Sequence, residues 1–111
     1  MVEVTDPLIR DMVEAIVRAA DPKRIVLFGS RARGEAASDS DVDFLIVEDR
    51  PFGPDRSRWD ELRKVRHALS SFRIAKDILV FSDEEVEKWR GCVNHVISRG
   101  LREGRVLYER P

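Results

Sequence analysis

At 111 residues and 12.8 kDa the chain has room for one domain, expected over residues 1–111, with a modest core and no separate substrate-binding domain. Twenty Lys and Arg against 21 Asp and Glu leave a net charge of −1, so no bulk field draws it to nucleic acid or to a membrane. The charged fraction of 37% is broken by recurrent apolar runs, which excludes a disordered polyelectrolyte.

The first residues, Met1 to Pro7, have no basic start followed by an apolar stretch, and no apolar run is long enough to span a membrane. A soluble, cytoplasmic protein is expected. Thr5 or Asp6 can cap a helix with Pro7 at its first position. Leu8, Met12, Ile16 and Ala19 give that helix its apolar stripe, and Asp21-Pro22 ends it. Arg24 to Phe28 is β-branched and apolar and stops at Gly29, as a strand buried on both faces would. Residues 29–40 are small and polar, and Val42 to Val47 read as a second strand.

Glu48 to Arg58 holds Pro51, Gly53 and Pro54 and is expected to be a loop. Trp59, Leu62, Val65 and Leu69 form the stripe of the next helix, whose other face carries Arg56, Arg63, Lys64 and Arg66. Asp60 and Glu61 interrupt those cations, so the face reads as solvated rather than as a nucleic-acid groove. Ile74 to Phe81 reads as a third strand. Ser82-Asp83-Glu84-Glu85 spells a capping box, which starts a helix at Asp83. Its stripe of Val86, Trp89, Val93, Val96 or Ile97, and Leu101 runs to about residue 103 with a break at Gly91, and Gly104 caps its end. Asn94 and His95 take packed or surface roles there, and His67 is given none. Val106 to Tyr108 offers a short C-terminal edge strand. The lone Cys92 excludes an internal disulfide and a multi-cysteine zinc site, and reads as buried and inert.

About 26 residues, including a helix, separate the second and third strands, enough for a parallel crossover. The fold class is therefore α/β: a small mixed sheet of three main strands flanked by helices.

The chemistry concentrates between Phe28 and Val47. Gly29 and Gly34 have the glycine spacing of a P-loop, but Glu35-Ala36 follow where Lys and Ser or Thr are required. A calcium loop beginning at Asp39 fails at its sixth and twelfth positions, which hold Phe44 and Arg50. A third pattern fits: Gly29-Ser30, ten residues, then Asp41-Val42-Asp43. Asp41 and Asp43, two apart on a strand, project to one face with side-chain bases about 6–7 Å apart. Two carboxylates opening an apolar strand are costly unless a cation offsets them, and hard divalent ions suit oxygen ligands. Asp77, the one acid inside the third strand, comes within reach if that strand lies beside the second. Three carboxylates around two metal ions suit in-line phosphoryl or nucleotidyl displacement. The plainer readings are a tight turn at Gly29-Ser30, a strand-end Asp41, and an Asp77 paired with Lys76. They leave the 12-residue polar connection without a purpose.

The Gly29-Ser30, Asp41-Val42-Asp43 and Lys76-Asp77-Ile78-Leu79-Val80 segments together resemble the DNA polymerase β-like nucleotidyltransferase superfamily. They are most similar to its minimal nucleotidyltransferases, antitoxins that act beside HEPN-domain toxins; Glu103 to Tyr108 also resembles that branch's C-terminus. The resemblance implies a polymerase-β-palm-like fold and a Mg²⁺-dependent transfer of AMP from ATP to a hydroxyl. The expected acceptor is a tyrosine of a HEPN-type toxin partner. It implies that Asp41, Asp43 and Asp77 hold two Mg²⁺ ions and that Asp77 helps deprotonate the acceptor. Gly29 and Ser30 would receive the triphosphate, with Arg33, in preference to Arg31, steadying its outer phosphates. A catalytically silent module that neutralises its partner by contact is the alternative, and transfer to a small molecule such as an aminoglycoside a weaker third.

Overall fold

The computed structural model describes residues 5–29, 41–92 and 95–111. The elements run α1 (Asp6–Ala20), β1 (Arg24–Phe28), β2 (Val42–Glu48), α2 (Arg58–Ala68), β3 (Lys76–Ser82), α3 (Asp83–Trp89), α4 (Val96–Glu103) and β4 (Arg105–Glu109). The sheet order is β3-β2-β1-β4. β1 pairs antiparallel with both β2 and β4, whereas β2 and β3 are parallel, joined by the α2 crossover. The sheet is mixed, as the sequence implies, with β4 as a fourth strand at one edge.

Each element starts or stops for a local reason. Thr5 caps α1, its Oγ1 accepting from Leu8 N at 3.3 Å. Asp21 ends it in the left-handed region at φ 45°, its N–H donating to Val17 O. The Ser82 capping box forms in full: Ser82 Oγ accepts from Glu85 N at 3.1 Å, and Glu85 Oε1 accepts from Ser82 N at 2.9 Å. α3 ends at Trp89, just before Gly91, and α4 begins at Val96.

Alternation along the strands sends side chains into two apolar layers. Val42, Phe44, Ile46, Ile78 and Val80 join Ile9, Met12, Ile16 and Val65 beneath α1 and α2. Leu45 and Val47 face the other way, onto Val26 and Val86, with Leu79, Phe81, Trp89 and Leu101 around them. Buried strands on both faces explain why β1 and β2 are nearly continuous apolar runs.

Four sequence expectations change. Trp59 is 65% exposed rather than core, and Glu61 turns inward one helical face away. The reason is electrostatic: Glu61 meets Lys64 at 2.8 Å and Arg56 at 3.5 Å beside the end of β2. On α1, Ile9 rather than Leu8 is the buried residue of the first turns. Ile74 packs against the core from a turn, its N–H donating to Phe72 O at 2.9 Å, and β3 starts two residues later. Cys92 is exposed, because it lies in the turn after α3, its N–H donating to Trp89 O at 3.0 Å.

Candidate active site

The sheet brings the predicted carboxylates to the face that carries Leu45, Leu79 and Phe81. Asp43 pairs in register with Phe28 on one side and with Asp77 on the other. Register partners on neighbouring strands share a face and stand about 5 Å apart, so Asp43 and Asp77 are direct neighbours. Val42 and Phe44 point to the opposite layer, as their alternation requires. Asp43 is half-buried and Asp77 exposed. Asp41 is exposed and lies one residue before β2 begins.

Gly29 closes the site from the β1 side. It follows Phe28 with φ 76°, a conformation suited to glycine. A Cβ at this position would overlap Asp43 Oδ2 and stand 3.3 Å from Asp43 Cγ. The β1 turn is therefore pressed against the Asp43 carboxylate, which occupies the space that any side chain at this position would need. Ser30 and Arg33 lie outside the described residues, as does Arg31.

Asp77 does not pair with Lys76. That ammonium donates instead to Phe72 O at 2.8 Å and Ile74 O at 3.1 Å, bracing the turn before β3. Among the described residues, no three His, Cys, Asp or Glu side chains converge closely enough to hold a metal ion. What the described structure brings together is thus the pair Asp43–Asp77, with Asp41 at the mouth. The chemistry of this donor set fits a hard divalent cation: carboxylate oxygens of neighbouring residues on one face, beside a glycine with no side chain to shield them.

Two polar clusters escaped the sequence reading. At the far end of β2, Glu48 is 3% exposed and bonded to Arg56. Burial, then its hydrogen bond and repulsion with Glu61, push the Glu48 carboxyl up to about 7 against the pull of Arg56. Burial also pushes Glu61 up, but its bonds to Lys64 and Glu48 and the charges of Lys64 and Arg56 hold it below the usual range. The hint was an acid ending an apolar strand. The second cluster is Arg58, whose guanidinium lies over the Phe52 and Phe81 rings at 4.9 and 5.2 Å while bonding Glu85 and, at 2.8 Å, Val80 O. His95 takes a packed role, stacked on Trp89 at 4.4 Å with an interplanar angle of 7°.

A parallel β2–β3 pair carrying opposed aspartates, beside a positive-φ glycine that ends β1, defines a nucleotidyltransferase. The chain belongs to the nucleotidyltransferase domain family, whose model matches residues 9–99. It is 37% identical over 87 residues to the "Putative protein adenylyltransferase" of Methanocaldococcus jannaschii, covering 78% of each chain. A solved structure described as a "putative minimal nucleotidyltransferase" superposes with a TM-score of 0.52 at 26% identity, covering 90% of this chain and 92% of that one. A chain of a toxin–antitoxin crystal structure with AMP-PNP has the same fold, with a TM-score of 0.53 at 20% identity, covering 91% of this chain and 73% of that one. Among the described residues, no helix is long and apolar enough to cross a membrane.

Proposed function

We propose that this nucleotidyltransferase moves AMP from ATP onto a hydroxyl of a protein partner, with Mg²⁺ held by Asp43 and Asp77 together with Asp41. The observation that carries the reading is the three-strand juxtaposition of Gly29, Asp43 and Asp77: a bare glycine backbone packed against one of two neighbouring carboxylates on one face. Bound Mg²⁺ would supply charge neutralisation for the triphosphate. Gly29 lets the triphosphate approach the backbone, and Ser30 and Arg33 steady its outer phosphates. The acceptor oxygen attacks the α-phosphorus, and that O–P bond forms as the bond to the bridging oxygen breaks. Pyrophosphate leaves with the electron pair, and Asp77 takes the hydroxyl proton and passes it to water.

The partner in this reading is a HEPN-type toxin, and the modified group one of its tyrosines. The name of the Methanocaldococcus relative supports a protein acceptor, and the toxin–antitoxin neighbour with AMP-PNP supports both the partner class and an adenine nucleotide. Mass spectrometry of the partner after incubation with this protein, Mg²⁺ and ATP is the direct test. A gain of one or more AMP units is expected, and it should vanish without ATP. Silencing of the partner at full stoichiometry, with no nucleotide and no mass change, would overturn the reading in favour of inhibition by contact.

A further inference from the structure

The sheet has two edges, and they are finished differently. β4 is five residues long, its ladder to β1 is irregular between Ile25 and Val26, and Arg105 and Glu109 charge its two ends. Short length, a bulge and terminal charges are the devices that discourage another strand from adding. β3 is seven residues long and pairs on one side alone among the described residues.

Three bonds fix which way the β3 backbone points. Ala75 O accepts from Val42 N at 3.0 Å, so residues 75, 77, 79 and 81 direct their N–H and C=O groups to β2. The even residues direct theirs outward. Accordingly, Val80 O accepts from Arg58 Nη1 at 2.8 Å and Ser82 N donates to Glu85 Oε1 at 2.9 Å. Arg58 and Glu85 also pair with each other, and Phe52 and Phe81 flank the guanidinium. This assembly plugs the C-terminal half of the edge. The N-terminal half stays open: among the described residues the outward N–H and C=O of Ile78 and the N–H of Val80 find no partner.

The open half is the half beside Asp77. We propose that the protein segment carrying the acceptor hydroxyl docks here as an additional strand, extended along Lys76–Val80. The inference rests on the protein-acceptor reading above and adds the mode of recognition. A strand added to an edge lies about 4.7–4.9 Å away, and its residue opposite Asp77 shares Asp77's face. That residue's hydroxyl is thereby delivered beside the Asp77 carboxylate and one strand from Asp43. Main-chain bonds supply the affinity, while the face of each side chain supplies the selection. The Arg58 plug confines the segment to the stretch where its side chains reach the aspartates.

Two measurements on the full chain test this. The probes are the peptide Thr-Val-Tyr-Thr-Val-Thr and the same peptide with every backbone amide N-methylated. Amide hydrogen exchange at Ile78 and Val80 should be fast in the free protein. The plain peptide at millimolar concentration should slow it about tenfold, as two or three added hydrogen bonds of modest net strength would. AMP transfer should favour the plain peptide over the methylated one by a similar factor. Slow exchange in the free protein overturns the proposal: dependence on protein concentration would assign the edge to a second copy, and independence to the chain itself. Equal transfer to both peptides without slowed exchange also overturns it, while leaving AMP transfer standing. Slowed exchange with no transfer to either peptide keeps the docking site and counts against the AMP-transfer reading.

Discussion

The Asp43 carboxylate occupies the place a side chain on Gly29 would need. Its Oδ2 overlaps the position of a Cβ there, and its Cγ stands 3.3 Å from it. The contact joins the end of β1 to the start of β2 across the antiparallel ladder, where Phe28 is paired with Asp43. Gly29 also has φ 76°, so its role is both conformational and steric.

Gly29→Ala therefore carries two penalties. The left-handed backbone costs an L-residue about 1–2 kcal/mol, and the new methyl must displace the Asp43 carboxylate. The melting temperature should fall by roughly 4 °C or more per kcal/mol lost in a domain of this size. Nucleotide transfer should fall further than the melting temperature implies, since the displaced group belongs to the proposed site. Thermal melts and transfer assays on the same preparation check this; a variant with parental melting and parental transfer would remove Gly29 from the site.

Ser82→Ala separates folding from chemistry on the same strand, since Ser82 and Asp77 face opposite sides of the sheet. Ser82 Oγ accepts from Glu85 N, and its loss should cost about 1 kcal/mol, the usual value of an N-cap. Ser82 lies five positions past Asp77 on β3, and Glu85 keeps its pairing with Arg58. Transfer per folded molecule should hold. Loss of transfer without loss of stability in this variant would mean that the α3 start belongs to the active site.

What the sequence makes legible is local or periodic. β1 is predicted residue for residue because an apolar run between Lys23 and Gly29 has few alternatives. The capping box is legible because both partners lie within one turn. The opposition of Asp43 and Asp77 follows once a helical crossover makes β2 and β3 parallel neighbours. Features set by distant partners are not legible. Trp59 fits an apolar stripe, yet Glu61 takes the inward position because Arg56, on the preceding loop, is there to meet it. Cys92 reads as buried on residue type, but the turn after Trp89 carries it to the surface. The Arg58 plug depends on Phe52, Val80, Phe81 and Glu85 meeting from three separate stretches of chain.

Glu48 gives the protein a pH dependence of unusual sign for a carboxylate. Its ordinary value is 4.5 and its folded value about 7, raised chiefly by burial and then by Glu61. Between those values the folded state binds the proton more tightly than the unfolded chain does, so stability falls as pH rises. The contribution is fully present below about 4.5 and gone above about 7. Asp49, Glu61 and Glu85, held low, act in the opposite sense at more acidic pH. Glu48→Gln keeps a donor toward Glu61 and an acceptor for Arg56 without the titration. Urea unfolding at several pH values should show the parent losing stability from pH 5 to 8 and the variant level over that span. A parent with a flat profile there would refute the assignment.

The exposed aspartates separate binding chemistry from structure most sharply. Asp77 and Asp41 are both exposed, and neither makes an ion pair among the described residues, so folding gains little from either charge. Asp77 instead stands in register with a second carboxylate, an arrangement that repels unless a cation intervenes. Asp77→Asn preserves shape and removes one negative charge. In metal-free buffer this variant should melt at the parental temperature or slightly above it. Mg²⁺ with ATP should raise the parent's melting temperature by mass action, about 2.7 kcal/mol of stability at one hundred times the dissociation constant. The same addition should move Asp77→Asn much less, and its transfer activity should be lost. Asp41→Asn should behave alike, because Asp41 completes the proposed ligand set; a full ligand shift in that variant would remove Asp41 from it. A structural aspartate gives the reverse pattern, a lowered metal-free melt with an intact ligand response. Finding that pattern at Asp77 would remove the register partner on which the cation site rests and would overturn the proposed site.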